Sequence, residues 1–226
     1  MIYNLSAGHN PDGKTACGAV GLIKESTEAR RVVEEVARQL RGLGHTVNIC
    51  TEDNGKSAKD VLDKAIAKHN ANHVKNNGSI SIQVHFNSGV NDPKGNGKTT
   101  GTESYIYDVS HSGTYKLAKN ITDSISQLGF KNRGVKVNKS LRFLNSTKDE
   151  AILIECCFVG DADDCNLYDA KKMATAIVKG LTGTTYVEKT NSNLYRVQVG
   201  AFSSKANAEK LRAELIRLGY QAIIVQ

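Results

Sequence analysis

The 226-residue sequence has no tryptophan, only two prolines, two methionines and 6% aromatic residues. So little proline excludes a collagen-like chain or a proline-rich spacer. No apolar run approaches the roughly 18 residues that a membrane-spanning helix needs, so we expect no membrane insertion. The opening MIYNLSAGHNPDGK lacks the charged and then apolar pattern of a secretory signal. We therefore expect synthesis in the cytoplasm without a signal peptide.

The cysteines do not have the number or spacing of a disulfide framework. The five cysteines are odd in number and contain no CxxC pair. Three of them lie within apolar, strand-like runs: Cys50, Cys156 and Cys157. This pattern predicts packed free thiols and argues against a disulfide scaffold or a thiolate zinc ribbon.

The charge balance is basic. Thirty Lys and Arg residues against 23 Asp and Glu residues give a formal net charge of +7, in a chain that is 39% hydrophobic. The composition is typical of a globular protein with a buried core. The positive charge favours an anionic partner, such as nucleic acid, a lipid surface or a bacterial wall polymer, without choosing among them.

Apolar runs alternate with segments of helical periodicity along most of the chain. Strands are expected at residues 2–7, 46–50, 80–86, 104–107 and 151–158, and helices at residues 27–43, 58–70, 113–128 and 162–181. Alternation of this kind predicts an α/β fold in which helices cover both faces of a twisted, mostly parallel sheet.

The C-terminal part has a different organisation. We expect a first domain at residues 1–183, a linker rich in Thr and Asn at 184–193, and a small strand–helix–strand unit at 194–226. So short a unit cannot bury a sizeable core alone. It must dock on the first domain, pair with a second copy to form a dimer, or be the first half of a longer module.

The most literal motif is GHNPDGKT, from Gly8 to Thr15, which satisfies the G-x-x-x-x-G-K-[ST] pattern of a phosphate-binding loop. That motif needs a helix beginning at Lys14. Gly18 and Gly21 follow, and each is about 1 kcal/mol less favourable in a helix than Ala. These glycines argue against such a helix. Because the motif itself matches, a nucleotide-binding enzyme is kept as an alternative function.

Two pairs of histidines are candidate metal ligands. His69 and His73 have the i,i+4 spacing of a helical metal site, but no general-base Glu follows His69, and the polar helix end predicts a solvated surface pair. His9 and His85 instead lie near the ends of two predicted strands, where parallel sheets form their sites.

Two carboxylates are candidates to act together with His9 and His85. Glu25 falls on the inward, apolar stripe of the first helix, although a helix N-terminus attracts Glu for dipole reasons alone. Glu155 lies inside an apolar strand, where an unpaired charge is costly. Because a catalytic zinc site usually has three protein ligands, His9, Glu25 and His85 form a candidate set, with Glu155 left over.

Several segments resemble, in order, the zinc-dependent N-acetylmuramoyl-L-alanine amidases of bacterial autolysins and phage endolysins. They are SAGHN, GLIKE, SIQVHFNS, GTESYIY, NRGVKVNKSLRFLNST and ILIECCF, and the resemblance covers residues 1–183. It implies one Zn²⁺ per chain held by His9, Glu25 and His85, and Glu155 as the catalytic carboxylate. It also implies a mixed α/β fold that cleaves the amide between N-acetylmuramic acid and L-alanine in peptidoglycan.

The tail, LYRVQVGAFSSKANAEKLRAELIRLGYQAIIVQ, resembles the first half of a SPOR domain, a peptidoglycan-binding module. The resemblance implies Gln198 and Phe202 as glycan contacts, while packing of Phe202 against the helix explains that residue equally well. The expected partners are peptidoglycan and anionic wall polymers, not nucleic acid. A wall-binding protein without catalysis is a further alternative.

The lack of a signal pattern favours a phage or prophage endolysin, released onto the cell wall at lysis, over a secreted autolysin. A sporulation or germination enzyme released from the mother cell would have the same pattern.

Overall fold

A computed structural model describes residues 1–76, 78–188, 197–220 and 222–225 of the chain. The residues divide into two compact units, Met1–Glu188 and Lys189–Gln226. The first unit contains a single six-stranded sheet and the second contains one helix.

The sheet of the first unit is mostly parallel. Its strands are β1 (Ile2–Ala7), β2 (Thr46–Ile49), β3 (Ser79–Asn87), β4 (Thr102–Ile106), β5 (Asn132–Val137) and β6 (Ala151–Phe158), in the order β2-β1-β3-β6-β4-β5. β4 and β6 pair antiparallel, and the other neighbouring strands pair in parallel. The predicted α/β fold is confirmed.

Helices cover both faces of this sheet. They are α1 (Glu25–Gly42), α2 (Ala58–Ala71), α3 (Ser112–Ser126), α4 (Arg142–Ser146), α5 (Ala162–Leu167) and α6 (Ala170–Thr182). The main core packs α1, α3 and α6 on one face, and a smaller cluster packs α2 and α4 on the other. In the described part of the chain, none of the helices has both the length and the apolar character to cross a membrane.

Three elements differ from the sequence prediction. The helix expected at 162–181 is two helices, because Tyr168 and Asp169 have extended backbones and the Asp169 side chain caps α6 by accepting the Lys172 N–H. Strand β5 was missed because it is an edge strand of sequence NRGVKV without an apolar run. Helix α4 was missed because it is too short to show a period.

The prediction of a solvated His69–His73 pair is wrong for His69. This side chain is fully buried, and its two ring nitrogens each lie 2.9 Å from a serine hydroxyl, one on Ser81 and one on Ser6. His73 instead contacts Asp149, at 2.5 Å. The serines lie on β3 and β1, so the sheet itself supplies the polar partners that local sequence does not reveal.

Burial makes the stability of this fold pH-dependent. Desolvation lowers the pKa of His69 to about 4. Because the unfolded chain titrates near 6.5, it binds more protons than the folded chain below that pH, and stability is lost as the pH falls. Between pH 7 and pH 5 the expected loss from His69 is about 2 kcal/mol of unfolding free energy.

Urea denaturation of the wild type and of His69→Gln at pH 7 and pH 5 measures this loss. The variant should be less stable at pH 7 but should lose clearly less stability on acidification. His45→Gln, outside the buried cluster, is the matched control. If the wild type and His69→Gln lost the same unfolding free energy between pH 7 and pH 5, His69 would not be the source of the pH dependence.

The second unit contains α7 (Lys205–Arg217), which is the helix of the expected strand–helix–strand unit. Its helix buries no side chain, and Val197 and Val225 are 82% and 77% exposed. The described residues on either side, 197–204 and 222–225, do not form the predicted strands, and Tyr195 lies outside the described residues. A strand needs a hydrogen-bonded neighbour, and the described residues of this unit supply none.

Candidate metal centre

The loop at residues 8–24 links β1 to α1 and crosses the carboxyl edge of the sheet. Its first side chain of interest, His9, has a left-handed backbone with φ of 64°. Arg30, on α1, donates from Nη2 to the His9 carbonyl oxygen at 2.8 Å. An uncommon backbone conformation held by this part-buried hydrogen bond fixes where the imidazole points.

Three side chains converge at this edge. Glu25, the first residue of α1, places Oε1 3.2 Å from His9 Nε2 and 2.9 Å from Nδ1 of His85, which lies near the end of β3. One ligand atom from each residue lies within 4.8 Å of the others. Two nitrogens and one carboxylate oxygen so placed can hold a metal ion. The structure thus brings together the three residues expected from the sequence.

The charge state of Glu25 suits a ligand. Burial alone would raise its pKa, but hydrogen bonds with His85 and His9 outweigh burial and hold the pKa well below its usual range. The second oxygen, Oε2, accepts the Ala19 N–H at 2.7 Å. The carboxylate is therefore ionised and fixed in orientation. Two imidazoles and one carboxylate are the kind of donor set that catalytic zinc sites use, in which one position stays open.

Glycines let the loop approach this group. A Cβ added at Gly18 would lie 2.6 Å from Glu25 Oε2 and 2.7 Å from His9 Cδ2. A Cβ added at Gly8 would lie 2.1 Å from His85 Cε1. The backbone is thus packed against all three candidate ligands, which a side chain at either position would displace.

Glu155 lies beside the three-residue group. On β6 it is the register partner of His85 on β3 and of Glu103 on β4, so the three side chains form a row on one face of the sheet. Its Oε2 is buried and has no hydrogen-bond partner among the described residues. Burial, and then the charges of Glu25 and Glu103, raise the pKa of Glu155 well above its usual range.

The row continues into a cluster that sequence reasoning missed. Glu103 is almost completely buried, and its carboxylate accepts hydrogen bonds from Arg133, Lys136, Tyr105 and Asn87. Burial acts to raise the pKa of Glu103, but the bonds from Lys136, Arg133 and Tyr105 outweigh it and lower the pKa. The only sequence signal was a charged residue within the GTESYIY segment.

The phosphate-loop interpretation is wrong. Residues 14–24 contain no helix, so no helix N-terminus follows Lys14. The Lys14 ammonium instead donates to the Asp53 carbonyl and to Asn54 Oδ1, both at 2.8 Å. A Cβ at Gly21 would lie 2.3 Å from the Val159 carbonyl oxygen, so Gly21 permits packing and not phosphate binding.

The two expected glycan contacts lie in the second unit. Gln198 is exposed, and its Nε2 lies 3.5 Å from the Gly200 carbonyl oxygen. Phe202 is 46% exposed, and its ring lies against Gly200. Both side chains are accessible to a ligand.

An α/β sheet with a His–Glu–His group and a further carboxyl at its carboxyl edge defines a candidate metal-dependent hydrolase. The family described as N-acetylmuramoyl-L-alanine amidase (Amidase_3) matches residues 4–183, and the chain belongs to this family. The SPOR domain family matches residues 169–226.

Relatives agree with this assignment. An uncharacterized protein of Clostridium perfringens is 32% identical over 176 residues, which cover 76% of this chain and 48% of the relative. The sporulation-specific N-acetylmuramoyl-L-alanine amidase of Bacillus subtilis is 28% identical over 171 residues, covering 72% and 64%. This chain therefore spans between about half and two thirds of these curated relatives.

Solved structures share the fold. The catalytic domain of the CD27L endolysin targeting Clostridium difficile superposes with a TM-score of 0.69 at 26% identity, covering 82% of this chain and 98% of that domain. The CwlD amidase of Clostridioides difficile, in complex with the GerS lipoprotein, superposes with a TM-score of 0.65 at 18% identity, covering 80% and 96%.

Two glycines of the loop provide a matched test of the metal group. Gly18 and Gly13 both have φ of 80°, but a Cβ at Gly13 meets nothing within 4 Å. Both alanine variants carry the same backbone strain, whereas only Gly18→Ala displaces Glu25 and His9. We expect Gly18→Ala to weaken zinc binding about 10- to 100-fold, the range for losing ligand orientation, and Gly13→Ala to leave it unchanged.

Competition against a chromophoric chelator measures the zinc affinity, and circular dichroism checks the fold. Equal zinc affinities for the two variants would show that the packed loop does not orient the ligands.

Proposed function

We propose that this chain is a zinc-dependent N-acetylmuramoyl-L-alanine amidase that hydrolyses the amide between N-acetylmuramic acid and L-alanine in peptidoglycan. The observation that carries the proposal is the convergence of His9, Glu25 and His85 beside the unpartnered carboxyl of Glu155, in a chain of the amidase family.

His9, Glu25 and His85 would hold one Zn²⁺. Zinc in such a three-ligand site acts as a Lewis acid that polarises a carbonyl group and makes water acidic near pH 7. The protein's part is to fix the ligands. Arg30, Gly8 and Gly18 do so through the loop backbone, and the Ala19 N–H does so at the carboxylate.

Glu155 would move the proton. Its raised pKa suits a group that accepts a proton from the attacking water near neutral pH and then donates it to the leaving amine nitrogen. The water oxygen forms the new bond to the carbonyl carbon, the carbon–nitrogen bond breaks, and the proton ends on the amine. Because Oε2 has no partner among the described residues, no existing hydrogen bond has to break first.

Glu155→Gln tests this assignment, because glutamine keeps the shape and removes the proton transfer. We expect release of amino groups from purified sacculi to fall about 10²- to 10⁴-fold, the usual worth of a general acid–base group. Zinc content should stay near one ion per chain. Glu150→Gln, just before β6 at its opposite end, should keep full activity.

Two results would refute the mechanism. One is full activity of Glu155→Gln. The other is activity of the wild type that survives complete removal of zinc.

The C-terminal region would bind the wall. The SPOR match over residues 169–226 supports wall binding by this region. We place the binding unit at residues 194–226 after a linker at 184–193, with Gln198 and Phe202 as the proposed glycan contacts. The net charge of +7 would add salt-sensitive attraction to anionic wall polymers.

Phe202→Ala in the full chain tests the wall contact, because it removes the ring that we expect to stack on a sugar. Sedimentation with sacculi should weaken by about 1–2 kcal/mol in binding free energy, the order of a lost aromatic contact. Tyr220→Ala is the matched control, since Tyr220 is also exposed in this unit. Equal binding of both variants and the wild type would contradict the role of Phe202.

The setting we propose is lysis by a phage or prophage, with the enzyme reaching the wall from the cytoplasm. The likeness to an endolysin catalytic domain supports it. Expression with and without a holin is the test, because lysis that needs no holin would contradict this route.

A further inference from the structure

Two cationic side chains extend the row of His85, Glu155 and Glu103 onto the edge strand β5. Arg133 Nε donates to Glu103 Oε2 at 2.6 Å, and Lys136 Nζ donates to the same oxygen at 2.5 Å. The Arg133 guanidinium lies over the Phe158 ring at 5.0 Å, and the Lys136 ammonium lies over the Tyr105 ring at 5.6 Å. Aromatic faces and a shared carboxylate thus hold both cations in place.

The strand directions bring this pair to the site. Because β4 runs antiparallel to β6, the beginning of β4 meets the end of β6, where Glu155 lies. β5 runs parallel to β4, so its beginning, with Arg133, reaches the same edge. The cations are therefore neighbours of the catalytic row and not of the opposite edge of the sheet.

The pair carries more positive charge than its partner neutralises. Glu103 supplies one negative charge, and its other oxygen is occupied by Tyr105 and Asn87. A guanidinium has five N–H donors and an ammonium has three. Among the described residues, no acceptor contacts the two terminal nitrogens of Arg133, and Glu103 alone accepts from Lys136. Both side chains are partly exposed, at 29% and 39%, so these donors are open to an anion.

The chemistry of the substrate identifies that anion. The lactyl carboxyl of muramic acid is consumed in the scissile amide, and the sugar otherwise carries hydroxyl and acetamido groups. Negative charge near the scissile bond therefore belongs to the peptide. A planar guanidinium beside an ammonium is suited to a carboxylate.

The spacing agrees with a carboxylate close to the cleaved bond. Glu155 and β5 are separated by two strand spacings of about 4.8 Å each, or about 10 Å, and Arg133 reaches back across part of this distance to Glu103. Two residues of extended peptide span about 7 Å.

We propose that Arg133 and Lys136 form a subsite for the free carboxylate of the second residue of the stem peptide, a specificity element that rests on the proposed amidase function. An amidated second residue would lose the charge-assisted hydrogen bonds and bind less well.

A pair of substrates tests the subsite: N-acetylmuramoyl-L-alanyl-D-glutamate and its α-amide, N-acetylmuramoyl-L-alanyl-D-isoglutamine, both with the γ-carboxyl blocked as its methylamide so that only the first has a free carboxylate on the second residue. For the zinc-loaded wild type, kcat/KM should favour the carboxylate about 10- to 100-fold, the range of a charge-assisted hydrogen bond. Arg133→Gln and Lys136→Met should bring the ratio toward one, and Arg133→Lys should keep part of it. Arg31→Gln, which removes the same charge from α1, should keep the wild-type ratio.

A wild-type ratio near one, or a preference that survives in both variants, would overturn the subsite while leaving the amidase function intact. Absence of amine release from both substrates would instead contradict the proposed function.

If neither substrate releases an amine, calorimetric titration of L-alanyl-D-glutamate and of L-alanyl-D-isoglutamine, both as the γ-methylamide, still tests the subsite. Selective binding of the carboxylate form that is lost in Arg133→Gln supports it, and equal binding of both forms overturns it. The melting temperature of each variant shows whether its fold is intact. The ratio of kcat/KM values for the two substrates in the wild type tests the subsite even if no variant folds.

Discussion

The site depends on the contact between the ionised carboxylate of Glu25 and the imidazoles of His9 and His85. A buried negative charge is costly unless it is paired, and here the backbone N–H groups of Ala19 and Phe86 donate to it, and ring nitrogens of His9 and His85 lie within 3.2 Å of it. These donors come from the loop after β1, from α1 and from β3. The left-handed backbone of His9 and the missing side chain at Gly18 follow from the same requirement, because the loop must lie against the carboxylate.

The reversal of β4 gives the site its second half. In a wholly parallel sheet only strand ends meet at the carboxyl edge, where His85 and Glu155 lie. Because β4 and β5 run the other way, residues at their beginnings reach the same edge, and these include Glu103 and Arg133. A single change of strand direction therefore joins the metal group to a cationic surface.

The architecture and the three candidate metal ligands could be predicted from the sequence. The side chains around those ligands could not. Periodicity predicted β1 and β6 with the bounds observed, because both are buried apolar strands. The metal group followed from strand ends and family resemblance. His69 was misplaced because its serine partners lie on strands far away in the chain, and no local pattern carries that information. The Glu103 cluster depends on the direction of β4, which strand composition does not reveal.

The three carboxylates of the site differ because their neighbours differ. Glu25 is held ionised by histidines, and Glu103 is held ionised by Arg133 and Lys136. Glu155 lies between these two negative charges and has no hydrogen-bond donor at Oε2 among the described residues, and burial together with these charges raises its pKa. Under the proposed function one residue type would thus bind a metal, hold cations and transfer a proton. The difference comes from position, since Glu25 begins α1 against the two histidines, Glu103 lies on β4 beside the cations of β5, and Glu155 lies on β6 between them.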